Sequence, residues 1–287
     1  MRDIDLSFNK VHVIESLAPP DMLTGTKLYD DVMRSACAVH DSLEAELHTV
    51  RSPFDFLDVL ARIQHATTNE GERPLIHVET HGNKHGLGLA DGQGVLPWRK
   101  LKRKLTDINV ASELNLLIVM SACEGAYLVR EMKPTDRAVA WGILGPLKTI
   151  SAGALRDGFS AFYAELFSSL DVNRAIQCLL AESGGAPINH GLMNAHDIFR
   201  RIFESYHRDA FTEDAMRARE QEVVRGVRML NSDLDEVPDT TLASQFRDLL
   251  MATRDEFFAQ YAERFFMSDL YPKNRDRFLL EELTVGD

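Results

Sequence analysis

The chain has 287 residues, 45% of them hydrophobic and 26% charged, with a formal net charge of −12. That length suits one large domain, or one domain with an appendage, and holds enough apolar residues for a sizeable core. The acidic balance argues against direct nucleic-acid binding, which needs basic surface to displace counterions.

Three cysteines, Cys37, Cys123 and Cys178, are too sparse for a disulfide framework. Cys37 and Cys178 fall in helical apolar patterns and read as small buried residues. The N-terminal residues 1–5 carry no apolar signal core, and no stretch approaches the roughly 18 apolar residues of a membrane span. The expected setting is reducing and cytoplasmic, with no membrane partner.

Lys10 to Glu15 reads as a first strand. The loop from Ser16 to Gly25 follows, and Thr24 or Thr26 caps a helix to about residue 41, with Leu28, Val32, Ala36 and Val39 on one face. Glu46 to Val50 is a short second strand. Ser52 caps the next helix and Pro53 takes its first position; Phe54, Phe56, Leu57, Val59, Leu60 and Ile63 are its buried face.

Pro74 to Gly82 is an apolar strand ending in His81-Gly82. Asp91-Gly92 between short apolar stretches signals a hairpin. Pro97 opens a basic helix to about Ser112, whose run Arg99 to Lys104 reads as a solvated face. A second apolar strand begins at Leu114 and ends in Ser121-Ala122-Cys123-Glu124-Gly125. Ala138 to Leu144, with Trp141, reads as one more strand, and helices run from about Ala152 to Leu170 and on through Ala181. Strands alternating with helices predict right-handed crossovers and a mainly parallel sheet.

Ser183-Gly184-Gly185-Ala186-Pro187 marks a boundary, giving a domain over 1–185 and an extension over 186–287. The extension reads as helices over 195–206, 212–231 and 240–266. Phe257, Tyr261, Phe265 and Phe266 are its core or docking residues.

In open α/β sheets, ligands sit outside the carboxyl ends of parallel strands. His81 and Cys123 both fall at such ends, so they are the candidate catalytic pair. A thiolate at a strand-to-helix turn gains from the helix N-terminus, and a histidine can protonate a leaving amine. The N–H groups of Gly82 and Cys123 are candidates for an oxyanion hole. Glu15, Asp21 and Trp141 are candidates for substrate binding. His77, His81 and His85 are spaced four apart, which on a helix would suggest a metal. The segment reads as extended, so no metal and no cofactor is expected; His77 is a core residue and His85 a loop residue.

His81-Gly82 and Ser121-Ala122-Cys123-Glu124-Gly125 resemble the His-Gly and Ala-Cys-x-Gly signatures of caspase-like (clan CD) cysteine peptidases. The arrangement is most similar to the CHAT branch, with its Gly-Leu-x-Leu-Ala-Asp-Gly hairpin at Gly86 to Gly92 and a helix before the cysteine strand. Phe159, Phe162-Tyr163 and Leu166, then Ala175-Ile176, are similar to its downstream pattern. The resemblance covers about residues 74–181. It implies a caspase-like α/β fold and cysteine endopeptidase activity on a protein substrate. It also implies an activating or regulatory protein partner, in bacterial signalling or antiviral defence. The chain departs from the branch in Glu124-Gly125, where Thr-Gly is common, and in Gly145 to Thr149, which lacks an acidic pair. Two other readings stay open: a noncatalytic scaffold that binds a partner, and a thiol hydrolase of a small acyl substrate.

Overall fold

The computed structural model describes residues 6–39, 43–92, 94–122, 125, 127–146, 151–181, 190–234 and 236–283. Its strands are β1 (Lys10–Ser16), β2 (Glu44–Thr49), β3 (Pro74–Asn83), β4 (Gly86–Gly88), β5 (Val95–Pro97), β6 (Leu117–Ser121), β7 (Gly142–Pro146) and β8 (His190–Asn194). They form one sheet in the order β2-β1-β3-β6-β7-β8, with β4 and β5 continuing from the end of β3 as an antiparallel flap. All neighbours from β2 to β7 are parallel, and β8 alone runs antiparallel on this path. This is the mainly parallel α/β sheet that the sequence predicts, and it is consistent with a caspase-like fold.

The central strands are buried on both faces and mostly apolar. Leu75, Ile76 and Val78 of β3 are buried, as are Leu117 to Met120 of β6. Continuous apolar runs of this kind belong to parallel strands covered by helices on both sides. The helices of the first unit are α1 (Thr24–Leu28), α2 (Arg34–Cys37), α3 (Pro53–Asn69), α4 (Trp98–Ala111), α5 (Tyr127–Arg130), α6 (Ala152–Ser169) and α7 (Val172–Ala181). α1 and α2 pack with α6, and α6 with α7, while α3 packs with α4.

Local chemistry explains the ends. Ser52 and Asp55 form a capping box at α3, with Pro53 at the first position. Gly92 takes φ +65° in the connection between β4 and β5, but Asp91 does not take a positive φ and the connection is longer than the two-residue turn that Asp-Gly suggests. In α4, Trp98, Leu101, Leu105 and Ile108 are buried while Arg99, Lys100 and Arg103 face solvent.

Several expectations need correction. The strand read as Ala138 to Leu144 begins at Gly142; the preceding residues are buried but irregular. The first helix is broken by a π-helical turn over Tyr29–Met33. Cys37 and Cys178 are half-buried, not fully buried. Residues 190–194, ahead of the helices read from residue 195 on, form a strand that was not expected.

The chain divides into two compact units, Met1–Met132 with Arg137–Ile198, and Lys133–Asp136 with Phe199–Asp287. The division therefore falls inside α8 (Ala195–Ala210), not at residue 185, because β8 pairs with β7 from Gly142↔Asn194 to Pro146↔His190.

The second unit adds α9 (Glu213–Leu230), α10 (Asp239–Ala252) and α11 (Arg254–Phe265). The single helix expected over 240–266 is two, meeting at Thr253. Phe199, Phe258, Phe265 and Phe266 form its aromatic core, with ring centroids 5.1–5.5 Å from Phe199. Arg247 pins α10 to α9 through Glu220 (2.7 Å) and Glu213 (3.3 Å).

Candidate active site

Strand order locates the crevice. From β1 the chain crosses to β2 on one side, then returns past β1 to reach β3 on the other. At such a reversal the connecting helices lie on opposite faces, and a cleft opens at the carboxyl ends of the two strands. Here those ends are Ser16 of β1, which leads into the Asp21 loop, and the His81 region of β3.

The two meet. His81 Nε2 lies 2.9 Å from Asp21 Oδ2, with the side chains 69% and 37% exposed. The hydrogen bond from His81, with its charge, holds the Asp21 carboxyl below the usual carboxylate range. Nε2–H donating to Asp21 leaves His81 Nδ1 as the nitrogen that can take or give a proton. Sequence reading set Asp21 in a substrate pocket; the structure gives it the histidine as partner. The signal available was its place in the loop after β1, since that loop leaves the same sheet edge at which β3 ends.

Beneath His81 lies a buried polar chain. Residues 77, 79 and 81 share one face of β3, because side chains alternate along a strand. His77 Nε2 is 2.9 Å from Glu79 Oε1, and His77 Nδ1 is 3.0 Å from Tyr163 Oη. Thr24 Oγ1 donates to Glu79 Oε2 at 2.8 Å. One proton assignment satisfies every member: Tyr163 donates to a neutral His77, and His77 and Thr24 both donate to an ionised Glu79. Burial raises the Tyr163 hydroxyl well above its ordinary value, so it stays a donor. His77 is thus a core histidine and His85 a turn residue, as expected.

Glu15 is a correction. It is buried and accepts from the Thr26 N–H (3.0 Å) and the Thr26 hydroxyl (2.5 Å), so it holds the first turn of α1 and has no oxygen for substrate. The close approach of α1 to both strands depends on Gly25. A side chain there would meet Glu79 Cγ at 3.0 Å and Glu15 Oε1 at 3.1 Å.

Trp141 is the second correction. It is buried and sits just before β7, where its backbone N–H donates to Leu116 O at 2.8 Å. Leu75, Leu117 and Gly142 share a register row. His81 is six residues further along β3, roughly 20 Å at strand rise. Trp141 therefore lies at the opposite end of the sheet from His81 and cannot line its cleft.

Cys123 and its N–H lie outside the described residues, as does Glu124. The strand leading to them is described. β3 and β6 pair from Leu75↔Leu117 to Glu79↔Ser121, and in sequence His81 and Cys123 each stand two residues beyond that last pair. Ala122 is buried, and Gly125 is held by packing: a side chain there would meet Met120 Cγ at 2.6 Å. Gly82, the other oxyanion-hole candidate, sits half-buried opposite Leu87 on the β3–β4 ladder. No family model matches the chain, and no curated protein matches it.

Proposed function

We propose that the protein is a cysteine endopeptidase in which Cys123 attacks the scissile carbonyl and His81 shuttles the proton. The observation that carries this reading is the Asp21–His81 pair, exposed at the carboxyl end of β3 beside the in-register strand that leads to Cys123. In the step, the Cys123 sulfur forms a bond to the carbonyl carbon and its proton passes to His81 Nδ1. His81 then gives that proton to the leaving amine, and water hydrolyses the thioester. Asp21 keeps Nδ1 turned to the reaction and offsets the charge of the imidazolium. Backbone N–H groups of Gly82 and Cys123 are the proposed donors to the oxyanion. The mechanism uses no cofactor.

The second unit is the proposed docking or regulatory element for a protein partner or substrate. Met229 and Leu230, at the end of α9, are 78% and 89% exposed. A pocket of about 280 Å³ in the same unit is lined by aromatic side chains that include Tyr206, Phe257 and Tyr261. No helix among the described residues is long and apolar enough to cross a membrane; action in the cytoplasm is part of the proposal.

The test is labelling with a thiol-directed peptide probe, followed by mapping of new N-termini in a substrate proteome. Labelling lost in Cys123→Ala and His81→Ala, with new N-termini only in the parent, is the expected result. Labelling without new N-termini would instead point to a small acyl substrate. Neither labelling nor cleavage in the presence of cell extract would leave a noncatalytic scaffold.

A further inference from the structure

On the far side of β1 from β3, a second histidine–carboxylate cluster stands apart from the site above. β1 and β2 pair with His12 opposite Glu46 and Ile14 opposite His48. His12 and His48, one from each strand, bring Nδ1 and Nε2 to 3.0 Å. Glu46, two residues before His48, offers a carboxylate oxygen, and donor atoms of all three residues lie within 4.8 Å of one another. His12 is 3% exposed and the His48 side chain 9%, whereas that of Glu46 is 45% exposed and opens the cluster to solvent.

The proton inventory is informative. His12 Nε2 is 2.8 Å from Glu72 Oε1, so its N–H donates there and Nδ1 carries a lone pair. The hydrogen shared between the two rings must then come from His48 Nε2. If His48 carries its proton on Nδ1 instead, that N–H faces Glu46 Oε1 at 3.6 Å, and two imidazole lone pairs converge with no net proton released. Two nitrogens of a tetrahedral zinc centre stand about 3.3 Å apart for Zn–N bonds of about 2.05 Å. The pair therefore needs to open by only a few tenths of an ångström. Glu72 already provides the carboxylate that orients a metal-bound histidine from behind.

Charge points the same way. Lys10 Nζ lies 3.0 Å from Glu46 and 3.6 Å from both Glu44 and Glu72. Three carboxylates against one ammonium leave a surplus of two negative charges around two histidines. Arg62, the next cation, is engaged by Asp58.

We propose that His12 Nδ1, His48 Nε2 and the Glu46 carboxylate bind a divalent first-row transition metal of the zinc class, with the fourth position open to water. Two imidazoles and a carboxylate suit zinc, and geometry rather than raw affinity decides among such ions. Bound there, the metal clips the edge strand β2 to β1. Lys10 is the internal competitor, because it holds the same carboxylate.

The test is equilibrium dialysis of the full chain against Zn²⁺, with Co²⁺ as an optical probe and thermal unfolding alongside. The expected result is one tightly held Zn²⁺ per chain that raises the unfolding temperature. It should be retained in Cys123→Ala, and its Co²⁺ spectrum should lack thiolate charge-transfer bands. His48→Gln should weaken binding at least a hundredfold, Glu46→Gln about tenfold, and Glu72→Gln about 10- to 100-fold through His12. Lys10→Gln should tighten binding severalfold, an effect that a plain ion-pair network would not give; this variant keeps every proposed ligand and decides the matter should His48→Gln fail to fold. Affinity unchanged in His48→Gln or Lys10→Gln, or a metal lost with any cysteine substitution, would overturn the site.

Discussion

Two histidine–carboxylate pairs lie on one face of β3, and both are 2.9 Å long. His77–Glu79 is buried, and every nitrogen and carboxylate oxygen in it has a protein partner. His81–Asp21 stands in solvent, and among the described residues only one of its two ring nitrogens has a partner. Distance alone does not separate them. In the buried pair each group is fully used in holding α1, α6 and β3 together, so no proton can be lent to a substrate. In the exposed pair a nitrogen is left over. Low dielectric makes the first a matter of stability, and accessibility makes the second a matter of chemistry.

The comparison breaks most sharply if substitutions in the two pairs give the same phenotype. His81→Ala should lower thiol-dependent cleavage by about 10²- to 10⁴-fold, the range for a general acid–base group, and leave unfolding by urea nearly unchanged. Glu79→Gln should do the reverse. It leaves the buried His77 N–H or Thr24 hydroxyl facing an amide donor, at about 2–4 kcal/mol of stability in denaturant titration, while any folded fraction keeps its thiol reactivity. Tyr163→Phe is a milder form of the same damage, about 1–2 kcal/mol.

Asp21→Asn should reduce the rate roughly threefold to tenfold, because a solvent-exposed carboxylate is well screened. The readout is kcat/KM for a peptide substrate; a rate unchanged in Asp21→Asn would mean that Asp21 merely rests against His81.

A third histidine sharpens the contrast by having no acid. His190 is buried on β8 with its ring 5.4 Å from that of Phe159, and neither nitrogen has a hydrogen-bond partner among the described residues. Burial lowers its pKa from the ordinary value of 6.5. The unfolded chain then binds this proton more readily than the folded one. The stability held by the neutral ring is complete above about pH 6.5 and is lost as pH falls below it. His190→Leu should flatten that acid limb of the unfolding temperature; an unchanged limb would show that His190 is protonated at no cost.

Much of this was legible from the chain. Apolar runs such as Leu75 to Val78 and Leu116 to Met120 admit little besides buried parallel strands, and Ser52-Pro53 with Asp55 declares its helix start. The end of β3 was readable from His81-Gly82, where the strand gives way to polar turn residues. The partner of His81 was not readable. Asp21 lies 60 residues away, and only the β1–β3 register brings its loop alongside. Glu15 was misjudged because an acid at a strand end looks the same in sequence whether it faces a cleft or caps a helix. β8 was missed because Gly191-Leu192-Met193 carries no strong period, and its partner β7 supplies the pairing.

The pairing of β8 with β7 has a consequence for anyone who would isolate the catalytic unit. A chain cut at residue 185 keeps His81 and Cys123 but removes the strand that covers the outer side of Gly142 to Pro146. The exposed β7 would then present unpaired N–H and C=O groups over an apolar segment, the arrangement by which sheets recruit copies of themselves. The cut protein should oligomerise edge to edge. Extending it through Asn194 restores β8 as the native edge strand over β7, so solubility should depend on five residues that touch none of the chemistry.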